Sequence, residues 1–188
     1  MKKIAIFASG EGTNAERIIR YFAERKTAEV ALVITNKMQA GVLKRASRLG
    51  IPAVVITAAE FAEGEALRVL RSHDIDFIVL AGFLLKVPED ILHDYPHRIV
   101  NIHPALLPKF GGKGMYGEHV HRAVINAGEK ESGITVHYIN EQYDEGSIIF
   151  QASCPVLPED TADTLAQRVH ELEYAHYPEV IERIVLSE

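Results

Sequence analysis

The 188-residue chain contains one cysteine, Cys154, and no tryptophan. A single thiol excludes an intrachain disulfide and a cysteine-rich metal centre, so the fold must rest on its core, as suits a reducing cytoplasm. There is no surplus of positive charge: the net charge is -6, which argues against a nucleic-acid surface and leaves any anionic ligand to local dipoles and a few cations. No stretch approaches the ~18 consecutive apolar residues of a membrane span, so no insertion is expected. The opening Met1-Lys2-Lys3 with Ile4 to Ala8 is cut off by Gly10, Glu11 and Gly12, too early for a signal peptide, and reads as a first strand. Internal repeats and low-complexity segments are absent.

What is present is ordinary for a globular protein, with 47% hydrophobic and 24% charged residues and a length that suits one domain over residues 1–188. Short β-branched runs at Ile4–Ala8, Val30–Thr35, Ala53–Ile56, Phe77–Ala81 and Ile99–Ile102 alternate with amphipathic segments at Ala15–Glu24, Val42–Leu49 and Glu65–Ser72. That alternation predicts an α/β fold with a mostly parallel, twisted sheet and helices on both faces. Pro88 is placed to open a short helix. Four glycines in Gly111–Gly117 predict a loop, either a lid or a longer surface connection. A helix from Glu118 to about Ala127, then strands Ile134–Ile139 and Ser147–Ala152 paired antiparallel at the C-terminal side, complete the sheet. Asp160 or Thr161 caps a last helix to about Tyr177, which Pro178 kinks or restarts.

Two stretches carry chemistry. Asn101 and His103 lie two apart on one strand and so share a face, and Pro104 holds His103 extended and ends the ladder. A carboxamide can donate to a developing oxyanion while an imidazole, with an ordinary pKa near ~6.5, moves protons, a pairing suited to carbonyl chemistry. Gly10-Glu11-Gly12-Thr13-Asn14-Ala15 lies between the first strand and first helix, where backbone N–H groups favour an anion. The pattern satisfies G-x-G-x-x-A, but a dinucleotide site also wants an acid ~20 residues on. The second strand instead ends Thr35-Asn36-Lys37, which points to a phosphate of mononucleotide size. Asp144, in the turn Tyr143–Gly146, is a candidate partner for His103. His137 either lines the same cleft or is a satisfied core histidine. The spacings of His93, His97, His119 and His121 match no zinc signature, so these read as surface histidines and no metal is expected.

Taken together, G-E-G-T-N from Gly10, A-G-F from Ala81, N-I-H-P-A-L-L-P from Asn101, T-V-H from Thr135 and D-E-G from Asp144 resemble the formyltransferase family that uses 10-formyltetrahydrofolate. The resemblance runs from Ile4 to about Tyr177 and implies a single Rossmann-like formyltransferase domain. It implies that the glycine amine of glycinamide ribonucleotide attacks the formyl carbon directly, through a tetrahedral intermediate, in de novo purine biosynthesis. Asn101 would hold the oxyanion, His103 would act as acid or charged stabiliser, and Asp144 would raise the His103 pKa and relay protons. The ribonucleotide would engage Gly12, Thr13, Asn14, Ala15, Glu16, Pro104, His170 and Glu173. The folate would engage Leu84, Leu85, Lys86 and Val87, with Asn101, Asn140, Glu141 and Asp144. Leu84-Leu85-Lys86 depart from the family, which often has an arginine there. Partners would be these two small molecules, with no nucleic acid or membrane, in a monomer or homodimer. Two rival readings are a hydrolase that releases formate from the same folate and a non-catalytic nucleotide-binding module.

Overall fold

The β-branched runs of the first hundred residues become strands because their side chains bury on both faces, and the amphipathic segments between them become crossover helices. The computed structural model describes residues 1–140 and 146–188. The elements are β1 (Lys3–Phe7), α1 (Thr13–Arg25), β2 (Glu29–Thr35), α2 (Gly41–Arg48), β3 (Ala53–Val55), α3 (Ala58–Ala62), α4 (Glu65–Ser72), β4 (Phe77–Leu80) and α5 (Glu89–Asp94). They continue with β5 (Ile99–His103), α6 (Glu118–Asn126), β6 (Glu131–Tyr138), β7 (Ile148–Pro155) and α7 (Ala162–Ser187). Among the described residues the sheet has seven strands in the order β3-β2-β1-β4-β5-β6-β7.

Contacts gather the chain into two compact units, Met1–Val100 with Ile181–Glu188, and Asn101–Val180. In the first, β1 pairs in parallel with β2 and β4, and β2 with β3. Strand order runs outward from β1 to β3 and then reverses to β4, so a topological switch lies between β1 and β4. Ligands of open α/β sheets bind at the carboxyl ends of strands at such a switch. Those ends here carry the Gly10–Asn14 and Ala81–Val87 segments. Phe83, from the second segment, packs with Phe7 and Phe61 at ring centroid distances of 5.2–5.9 Å within the trio. In the second unit β6 and β7 are antiparallel.

Differences from the sequence reading are local. Helix α3 was not anticipated, although Thr57 and Glu60 form a reciprocal capping box at its start. β6 begins at Glu131 and β7 ends at Pro155, each three residues beyond expectation. The added length of β6 includes Gly133, which pairs with Ser153 of β7 and where a Cβ would strike the Ala152 carbonyl. Pro88 occupies the N-cap of α5 and not its first turn. α7 continues through Pro178 to Ser187. Burial of Tyr177, Val180, Ile181, Ile184 and Val185 outweighs the ~3 kcal/mol that proline costs inside a helix.

Candidate active site

In the first unit, Gly12 is the N-cap of α1 with φ 76°, and a Cβ there would lie 2.5 Å from Val42 Cγ2. Only glycine lets the loop lie this close to α2. Glu16 N–H donates to the Gly12 carbonyl (2.9 Å), and Val42 N–H donates to the Gly10 carbonyl (3.1 Å). Ser9 is buried at the end of β1. Its hydroxyl donates to Asn36 Oδ1 (2.5 Å) and accepts from Leu84 N–H (3.0 Å), while its own N–H donates to the Gly82 carbonyl (3.0 Å). Asn36, which stands where a dinucleotide site would keep its acid, is thus committed to holding the loops after β1 and β4. Of the expected folate residues in this unit, Leu84 and Lys86 are exposed, Leu85 is half-buried and Val87 is buried.

Among the expected ribonucleotide residues, Thr13 and Asn14 open α1, and the Ala15 side chain is fully buried in the core. Glu16 accepts two hydrogen bonds from Arg20 (3.0 and 2.9 Å), one from Arg45 (2.5 Å) and one from Arg48 (2.7 Å). Arg45 and then Arg20 hold its carboxyl down to a pKa of about 2.

In the second unit, Asn101 and His103 share a face of β5, as alternation requires. His137 is fully buried on β6. Its Nδ1–H donates to the Tyr138 carbonyl (3.1 Å), which leaves Nε2 to accept from Asn101 Nδ2 (3.1 Å). His137 is therefore a satisfied core histidine, and one of its two hydrogen bonds is to the Asn101 carboxamide. His103 is buried, and its Nε2–H donates to the Phe110 carbonyl (2.7 Å). Phe110 has φ 56°, an uncommon backbone state for a bulky residue.

The segment after Pro104 is anchored by residues that sequence reasoning passed over. Buried Thr135 donates its hydroxyl proton to the Ala105 carbonyl (2.7 Å) and accepts from Leu107 N–H (3.0 Å). Gln151 Nε2 donates to both Thr135 Oγ1 (2.9 Å) and the Leu107 carbonyl (3.0 Å). The signal for Thr135 was present in T-V-H, where positions two apart face the same way.

Further along, His170 Nδ1–H donates to buried Glu173 (2.9 Å), and this bond raises the His170 pKa. His121 stands with them, its ring centroid 6.5 Å from that of His170. It corrects the surface reading of the four scattered histidines: His93, His97 and His119 are exposed, but His121 is buried on α6. Burial, and then His170, lower its pKa. Asn140 is exposed, while Glu141 and Asp144 lie outside the described residues. No group of three or more potential metal ligands occurs among the described residues, and none of their helices is long and apolar enough to cross a membrane.

The two arrangements, a glycine loop braced at a sheet switch point and a carboxamide beside an imidazole at a strand end, belong to a known family. A family model described as formyl transferase matches residues 2–181, and the chain belongs to that family. Within it, the chain is 41% identical to the chloroplastic phosphoribosylglycinamide formyltransferase of Arabidopsis thaliana, over 96% of this chain and 64% of the relative. It is 38% identical to the phosphoribosylglycinamide formyltransferase of Bacillus subtilis, over 98% of this chain and 95% of that one. The crystal structure of the Anaplasma phagocytophilum phosphoribosylglycinamide formyltransferase superposes with a TM-score of 0.91 at 36% identity, covering 99% of this chain and 88% of that one. The chain spans only 64% and 61% of two plant relatives, and 14% of the trifunctional purine biosynthetic protein adenosine-3 of Drosophila melanogaster.

Proposed function

We propose that residues 1–188 act as one cytoplasmic formyltransferase domain that moves a formyl group from 10-formyltetrahydrofolate to the glycine amine of glycinamide ribonucleotide in de novo purine biosynthesis. The observation that carries the reading is the Asn101–His137 bond. With His137 Nε2 as acceptor, one Asn101 N–H is fixed and the second is aimed by the planar amide, as a donor to a developing oxyanion must be. The amine attacks the formyl carbon, forming a C–N bond and a tetrahedral intermediate. Collapse breaks the bond to folate N10, which takes a proton as the amine loses one. His103 serves as acid or charged stabiliser, with Asp144 as its partner. Gly12, Thr13 and Asn14, with Ala15 and Glu16, receive the phosphate end, while Pro104, His170 and Glu173 engage the ribose or amine end. Leu84 to Val87, with Asn140, Glu141 and Asp144, receive the folate. The proposed chemistry needs no metal, and a monomer or homodimer suffices for it.

Mixing the protein with both substrates and following tetrahydrofolate formation, with and without the amine, tests this reading. Amine-dependent turnover is expected, with Asn101→Ala and His103→Ala each slowing it roughly a hundredfold or more. Formate release at the same rate without the amine would establish the hydrolase reading instead.

A further inference from the structure

The Gly10–Asn14 loop is gripped by α2 in a way that glycine content alone does not explain. Arg45 Nε–H donates to the Glu11 carbonyl (2.7 Å), while the same guanidinium reaches Glu16 through Nη1 (2.5 Å). One residue earlier in the loop, the Gly10 carbonyl accepts from Val42 N–H (3.1 Å). Two consecutive carbonyls are thus drawn toward α2. A trans peptide is planar with its C=O and N–H directed oppositely, so each captured oxygen turns the N–H of the next residue away from α2. The two N–H groups are those of Glu11 and Gly12, which precede the first turn of α1. Successive N–H groups presented this way form an anion-binding concavity.

We propose that Arg45 is a positioning residue for phosphate recognition: by holding the Glu11 carbonyl, it orients the Gly12 N–H toward the phosphoester. This rests on the reading of the loop as the ribonucleotide phosphate site. Glu16 keeps the guanidinium in register, because Arg45 and Arg48 share its Oε2 while Arg20 occupies Oε1. Arg48 supplies the control. It carries the same charge and binds the same carboxylate oxygen, but among the described residues its guanidinium hydrogen bond is to Glu16 and not to the loop.

The test is steady-state kinetics on the full chain with Arg45→Met, which keeps the apolar stem and removes the donors, Arg45→Lys and Arg48→Met. Arg45→Met is expected to raise KM for glycinamide ribonucleotide about tenfold, leaving kcat and the folate KM within twofold, and Arg45→Lys to recover part of the loss. Arg48→Met is expected to leave the ribonucleotide KM within twofold. Equal rises for Arg45→Met and Arg48→Met would show a simple charge effect and overturn the inference, as would an unmoved KM in Arg45→Met. Calorimetry on the wild-type protein separates the two levels of the reading. Equal affinity for the substrate and its dephosphorylated analogue would remove the phosphate loop, and this inference with it. A phosphate-dependent wild type with an unmoved Arg45→Met KM would remove the inference alone.

Discussion

Single positions in this chain carry backbone states that their side chains do not favour, and the helix ends expose them most clearly. Lys26 closes α1 in the left-handed region at φ 56°, with its N–H donating to the Phe22 carbonyl, a cap that glycine fills at no steric cost. Its side chain is exposed, so little packing is lost on replacement. Lys26→Gly is expected to stabilise the protein by roughly 0.5–1 kcal/mol, the left-handed penalty less the extra entropy of a glycine in the unfolded chain. Urea unfolding checks it, and a lower midpoint contradicts it. His137 shows the converse case, a buried side chain with both polar atoms satisfied. Its burial and its bond to Asn101 are both met by one tautomer.

At the scale of elements, β6 serves as a rack for the segment that follows His103. Thr135 satisfies Ala105, Leu107 and Gln151 with a single hydroxyl. Thr135→Val keeps the shape and strands these groups, and is expected to cost about 1–3 kcal/mol in urea unfolding and to slow turnover, with Thr135→Ser restoring both. A valine variant as stable and active as wild type would contradict this. The elements themselves were legible where apolar periodicity was strong: α4 matches its expected bounds of Glu65 and Ser72, and the five leading strands fall within a residue or so at either end. Legibility failed where tertiary contact overrode local preference. The strand expected from Ile134 begins three residues earlier and takes in Gly133, whose missing side chain admits the Ala152 carbonyl, and Pro178, expected to kink or restart the last helix near Tyr177, sits within an α7 that runs on to Ser187. Asn101, His103 and the glycine loop were visible from spacing and residue chemistry. Arg45, Ser9 and Gln151 were not, because their contacts reach between 16 and 75 residues along the chain.

For the whole molecule, each compact unit keeps a carboxylate clasp that responds to acid. Glu182 accepts from Thr27 (2.7 Å), Tyr21 (2.6 Å) and Arg25 (3.3 Å), tying the end of α7 to α1, and those bonds lower its pKa. In the other unit Asp160 accepts from Arg168 (2.7 and 3.1 Å), which holds its carboxyl well below the carboxylate range. Glu16 is held at about 2. Since these folded values lie under the unfolded ones near ~4, the stabilisation is fully present above the unfolded pKa and disappears as pH falls from about 5 toward 2. Thermal melts across that range are expected to show a shallower acid limb for Glu182→Gln than for wild type, and parallel limbs would contradict the assignment.

The fit of Gly12 against Val42 has a consequence for engineering. A designer who transplants the five residues from Gly10 to Asn14 into another doubly wound scaffold imports a flexible turn, since the backstop that shapes it belongs to the following crossover. The smallest portable recognition module is therefore the loop together with the second helix, moved as one piece.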